Sequence, residues 1–98
     1  MKLSSSQRAY LRSLAMTMDT ILQIGKGSIT PEYVKAADEA LEKRELIKVG
    51  VLKNCPDDVK EIAQTLAERT KSVLVHVIGK KIVLYRPRKK DPVIVLPK

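Results

Sequence analysis

The 98-residue sequence predicts an α/β (α+β) domain of order α-β-α-β-α-β-β, built on a mixed four-stranded sheet. Three observations predict it. Apolar residues recur at helical spacing in three segments, short β-rich runs follow each of them, and the last two runs are separated only by Gly79-Lys80. A helix standing between two strands makes a crossover, so part of the sheet is expected to be parallel.

The first helix opens at Ser4-Ser5-Ser6, whose hydroxyls can cap it, and extends to about Met18. Leu11, Leu14, Ala15 and Met18 fall on one face. Arg8 and Arg12 are four apart and share a side, where like charges repel unless an anion lies between them. Residues 20–24 read as a short buried strand. Thr30-Pro31 starts the second helix, Thr as cap and Pro at the first helical position, with Val34, Ala37 and Leu41 facing the core. That helix should end near Arg44, before the strand Leu46–Val51. Asn54-Cys55-Pro56-Asp57-Asp58 should start the third helix, with Pro56 in its first turn and carboxylates at its positive end. Its stripe is Val59, Ile62, Ala63, Leu66 and Ala67. Residues 72–78 and 81–85 form the expected hairpin. Residues 93–96, between Pro92 and Pro97, could add an edge strand, since proline disfavours a central one.

This is one domain, residues 1–98, with a basic, proline-containing segment at 90–98. Hydrophobic residues make up 44% of the chain, which suits a folded core. With three Tyr and no Phe or Trp, that core rests on Val, Ile, Leu, Ala and Met. The same scarcity argues against a sheet that stacks bases on aromatic rings. The single cysteine, Cys55, excludes an intramolecular disulfide and a multi-cysteine metal site. The polar N-terminus has no signal-peptide pattern, which makes the cytoplasm the expected location.

The formal net charge is +8. Residues 80–98 carry seven Lys or Arg against one Asp, whereas residues 1–79 are nearly balanced, with twelve basic and ten acidic side chains. The basic segment adjoins an apolar strand pair, so it is read as a phosphate-contacting edge rather than a solubilising tail.

Catalysis has little support. His76 is the only histidine and alternates with Val75 and Val77 as a strand side chain does. Cys55 has no sequence-local base, and Asp57-Asp58 read as capping carboxylates. No cofactor or metal is expected. The chemically pointed feature is the loop Ile24-Gly25-Lys26-Gly27-Ser28-Ile29-Thr30. A Gly-Lys-Gly turn from strand to helix gathers bare N–H groups and an ammonium in one place, which suits a phosphate. Its spacing fits neither a Walker A loop nor a dinucleotide fingerprint. A short loop against a phosphodiester backbone, as in KH domains, fits better.

Four stretches also resemble the CRM family, the RNA-binding domain of the YhbY type. They are Leu3-Ser4-Ser5-Ser6-Gln7-Arg8-Ala9-Tyr10-Leu11-Arg12, the glycine loop, Ala40-Leu41-Glu42-Lys43-Arg44-Glu45-Leu46-Ile47-Lys48-Val49, and Val77-Ile78-Gly79-Lys80-Lys81-Ile82-Val83-Leu84-Tyr85-Arg86-Pro87. The resemblance implies a fold like the C-terminal domain of bacterial translation initiation factor three, and RNA binding. For stand-alone bacterial members it implies association with precursors of the large ribosomal subunit; multi-domain plant relatives act in group II intron splicing. The family's loop is usually Gly-x-x-Gly. Here Ser28 replaces the last glycine, and serine disfavours a positive φ while offering a hydroxyl.

The expected contact set is therefore Gly25, Lys26, Gly27 and Ser28 against the RNA backbone, with Arg86, Arg8, Arg12, Lys48, Lys80, Lys81 and Arg88 as further cations. Tyr85 could stack on a base or turn inward. The expected partner is ribosomal RNA in pre-50S particles, bound by a monomer. The alternative is an adaptor on ribosomal or assembly proteins, using apolar positions near residues 93–96. A DNA-binding domain ranks lower for want of a helix-turn-helix pair.

Overall fold

The computed structural model describes residues 2–97. Its elements are α1 (Ser5–Ala15), β1 (Leu22–Ile24), α2 (Pro31–Arg44), β2 (Leu46–Val51), α3 (Val59–Thr70), β3 (Val73–Ile78) and β4 (Lys81–Tyr85). Local chemistry explains the helix starts. Ser4 accepts the Gln7 backbone N–H while Gln7 accepts that of Ser4, a reciprocal capping box. Thr30 accepts from Tyr33 N ahead of Pro31, and Asp58 accepts from Lys60 N.

Three boundaries differ from the sequence-based expectation. β1 keeps only Leu22–Ile24 of the expected 20–24, and of these only Ile24 is buried. α3 begins at Val59, because Asp58 is its cap and Pro56 lies in the turn before it. α1 ends at Ala15, where Lys48 Nζ donates to the carbonyls of Ala15 (3.1 Å) and Met18 (3.3 Å) and so satisfies groups that further helix would have used.

The sheet order is β1-β2-β4-β3. β1 pairs parallel with β2, and the other pairs are antiparallel. Side chains alternate across the sheet. Ile47, Val49, Val51, Ile82 and Leu84 face α2 and α3, where Ala37, Leu41, Ile62, Ala63 and Leu66 complete the larger core. Leu46, Val83 and Tyr85 face α1 and meet Leu3, Leu11 and Ala15 in a smaller one. A bulge interrupts β3: Leu74 pairs with Leu84 and His76 with Val83, leaving Val75 as the extra residue. Val75 and His76 are thereby both on the α1 side.

Residues 93–96 form no strand. The donors of Val93 and Ile94 are committed elsewhere. The fully buried Glu45 carboxylate accepts backbone N–H bonds from Val93 (2.7 Å), Ile94 (2.8 Å) and Arg88 (2.9 Å). Ile94 and Leu96 then pack against the α1-side core, and Gln7 Nε2 donates to Pro97 O. Burial pushes the Glu45 pKa up, but the three N–H donors and the Arg88 charge outweigh it and hold the carboxyl below its ordinary value. No helix of the described residues is long and apolar enough to cross a membrane.

Candidate nucleic-acid interface

The glycine loop leaves β1 at the end of the sheet where β2 also finishes, because Ile24 pairs with Val51 in parallel. Leu52 N donates to Ile24 O and Ser28 N to Gly25 O, closing a tight turn over Lys26 and Gly27. Both of those residues are exposed. Gly25 sits close to its neighbours: a Cβ there would lie 3.4 Å from Leu52 and from Asn54.

Ser28 stands where the resemblance would place a glycine, and it adopts φ 54. This left-handed conformation costs a non-glycine residue about 1–2 kcal/mol. The Ser28 hydroxyl donates to the Asp57 carboxylate, a bond that glycine could not make and that offsets part of the cost. Position 28 keeps the backbone geometry a glycine would favour, while its side chain ties the loop to the segment before α3.

The topology gathers further lysines beside Lys26. Lys81 pairs with Gly50 near the end of β2, and Val51 N donates to Lys80 O at 2.7 Å, so the β3–β4 turn lies at the same end of the sheet. Lys53 follows β2 in the turn that touches the loop, and sequence reasoning missed it. Its signal was a lysine in the second of two strand-to-helix connections, which leave one sheet end when their strands are parallel neighbours. Lys26, Lys53, Lys80 and Lys81 are all exposed. The ion pairs among the described residues are both made by Arg86, so none of these four lysines is neutralised in that way.

The remaining expected cations are elsewhere. Arg86 follows β4 at the opposite end, beyond Tyr85, which pairs with the first residue of β2. The four residue steps from Lys81 to Tyr85 span roughly 13 Å. Its guanidinium meets the Asp38 carboxylate (2.5 Å), Thr70 O (2.7 Å), Asp38 O (3.0 Å) and Glu42 (3.4 Å). Only 19% of the side chain is exposed, so Arg86 joins α2 to the end of α3. Arg88 lies on the same side of the sheet end and is half-buried. Arg8 donates to the carbonyls of Leu74 (2.6 Å) and Val75 (2.8 Å) at the bulge. Lys48 is committed to the end of α1, as above. Arg12 is exposed on α1 and, with Lys48 and Lys81, borders a cleft of about 590 Å³ between that helix and the sheet.

Tyr85 is core. It is 2% exposed, and its hydroxyl pKa is raised by burial and then by the Glu45 charge. No three His, Cys, Asp or Glu side chains among the described residues are grouped to hold a metal.

Comparison with known proteins gives the chain a family and a matching fold. Residues 3–86 match the CRS1 / YhbY (CRM) domain. A Bacillus subtilis relative named "Probable RNA-binding protein YqeI" is 44% identical over 95 residues, which cover 97% of this chain and 99% of that one. A Haemophilus influenzae relative named "RNA-binding protein" is 32% identical, covering 87% and 86%. The solution structure of a Staphylococcus aureus protein superposes with a TM-score of 0.82 at 54% identity, covering 98% of this chain and 100% of that one.

Proposed function

This chain belongs to the CRS1/YhbY (CRM) domain family, and on that premise we propose that it binds RNA through the lysine-rich end of its sheet, without chemistry of its own. The observation that supports this most directly is the convergence of the glycine loop with Lys26, Lys53, Lys80 and Lys81 at one end of a parallel strand pair. In this reading the loop's exposed backbone lies along the sugar-phosphate chain and the ammonium groups flank it. Few exposed aromatic rings are available for base stacking, so backbone and shape recognition dominate. Arg86, Arg8 and Lys48 contribute by holding the scaffold, and Arg12 extends the surface along α1.

The RNA proposed is ribosomal, within precursors of the large subunit, contacted in the cytoplasm by a monomer. Its support is the resemblance of the loop, the helix-to-strand segment and the hairpin to stand-alone bacterial members of the family. Crosslinking in cells followed by sequencing of the recovered RNA tests it. A sharp peak in large-subunit ribosomal RNA is the expected result. Diffuse reads would reduce the interaction to a generic charge effect.

A second reading has one observation in its favour. Val93 and Val95, 68% and 80% exposed, give the C-terminal segment an apolar outer side that suits a protein partner. Nuclease treatment of a lysate separates the two: an RNA reader loses its complex, whereas an adaptor bound to protein keeps it.

A further inference from the structure

The cleft between α1 and the sheet lies apart from the glycine loop, on the other face of the sheet. Its volume, about 590 Å³, is within the range of about 300–1,000 Å³ typical of small-ligand sites. Arg12, Lys48, Lys81, His76, Met16 and Ile78 shape it, and no carboxylate lines it. Cations on a carboxylate-free wall select an anion, while the apolar surface of Met16 and Ile78 selects a flat or greasy body attached to that anion. Met16 is 80% exposed and Ile78 59%, so this apolar surface is available to a ligand.

The bulge in β3 supplies a second, independent observation. Strict alternation would turn His76 towards α2 and α3. The extra residue at Val75 moves it to the α1 side, opposite Val83, where its ring enters the cleft wall. An imidazole can both stack on a base and hydrogen-bond to it. Lys48 closes the back. Two of its three N–H groups are directed to the carbonyls of Ala15 and Met18, leaving one for a ligand.

We propose that this cleft holds one unpaired nucleotide of a bound RNA strand. The base lies against Met16, Ile78 and the His76 ring, and the phosphate lies at the rim between Arg12 and Lys81. The proposal rests on the RNA-binding reading. Lys81 links the two surfaces, since it stands at the sheet end beside the β3–β4 turn and also borders the cleft. A strand crossing that end from the glycine loop reaches the cleft with its next unpaired residue. A duplex could not enter, so the cleft makes the protein prefer RNA with a looped-out or single-stranded nucleotide.

The test is a titration of the ¹⁵N-labelled full chain with a single-stranded RNA pentanucleotide, a hairpin of the same composition without unpaired residues beyond its loop, and adenosine or uridine monophosphate. Two variants accompany it. Arg12→Ala removes a rim charge at an exposed helix position, and Ala9→Leu places a larger side chain in the mouth of the cleft from another exposed position. The expected result is that the pentanucleotide shifts the amides of Ser13, His76 and Ile78 as well as those of the loop. Each variant then weakens the strand about threefold to tenfold and removes the cleft shifts while loop shifts persist. Shifts confined to the loop, with both variants binding like the parent, would overturn the cleft and leave RNA binding intact. Cleft shifts from the monophosphates but not from the strand would overturn the RNA source in favour of a free nucleotide. If no RNA binds at any salt concentration, the RNA-binding reading fails, and the cleft proposal fails with it.

Discussion

Replacing Glu45 by Gln should detach the C-terminal segment. In the parent, one carboxylate oxygen accepts from Val93 N and Ile94 N, and the other accepts from Arg88 N. Glutamine offers one acceptor oxygen. In its better orientation that oxygen stays with Val93 and Ile94, and the amide NH₂ is turned against the Arg88 N–H. One donor is then left unpaired, at about 1–3 kcal/mol, and two charge-assisted bonds become neutral ones of roughly half the strength. The sum is about 3 kcal/mol, or a fall of roughly 10–20 °C in Tm for a chain of this length. Release of residues 88–97 lets water satisfy the stranded donor, but it takes Ile94 and Leu96 off the α1-side core and forfeits their packing. The pH dependence has a definite sign. The folded-state pKa of Glu45 lies below its ordinary value of 4.5, so its stabilisation is complete above that value and disappears as pH falls through the lowered one. The gap between parent and variant should therefore be full at neutral pH and narrower at an acid pH well below 4.5. Urea denaturation at both pH values measures the gap, and hydrogen exchange at Val93 and Ile94 reports the release. A loss under about 0.5 kcal/mol with both amides still protected would refute the assignment of Glu45 as the anchor, as would a gap that is constant with pH.

Four further outcomes follow from the geometry. Lys26→Glu should weaken RNA binding about tenfold at moderate salt and flatten the dependence of log affinity on log salt by about one unit, read by fluorescence anisotropy across a salt series. Arg86→Met should cost about 2 kcal/mol of stability, because Thr70 O and Asp38 lose a shared donor, yet leave the salt slope of RNA binding unchanged; a flattened slope would place Arg86 on the RNA. Ser28→Gly should change stability by less than about 0.5 kcal/mol, since relief of the positive φ and loss of the Asp57 bond offset each other; urea denaturation decides. Tyr33→Phe should stabilise the fold by about 1 kcal/mol, because the buried Tyr33 hydroxyl has no hydrogen-bond partner among the described residues; a lower Tm in the variant would show that the hydroxyl is satisfied in solution.

Much of this architecture is encoded locally and was readable for that reason. Ser4 with Gln7, and Thr30 with Pro31, are short-range signatures that need no knowledge of the rest of the chain. The short, β-branched-rich apolar runs at Leu46–Val51 and Lys81–Tyr85 mark strands wherever they pair. Less was readable where a distant partner decides. Arg8, Lys48 and Arg86 are visible as charges in the sequence, but the carbonyls and carboxylates that engage them come from residues 16 to 67 positions away. Lys53 gains its place only once β1 is known to lie parallel beside β2. That residues 93–96 add no strand follows from Glu45, a residue whose position at the end of α2 gives no hint that its side chain would take the donors of Val93 and Ile94.

The bulge in β3 has a consequence for the protein's behaviour in a crowded solution. β3 is an outer strand, and a regular outer strand is a template on which another copy can continue the sheet. Here the irregular register at Val75 breaks the even spacing that an incoming strand must match, and the Arg8 guanidinium already occupies the carbonyls of Leu74 and Val75. Self-association along this edge would first have to displace a charge from its two acceptors. The irregularity that brings His76 to the cleft thus also makes this edge a poor template for a neighbouring copy.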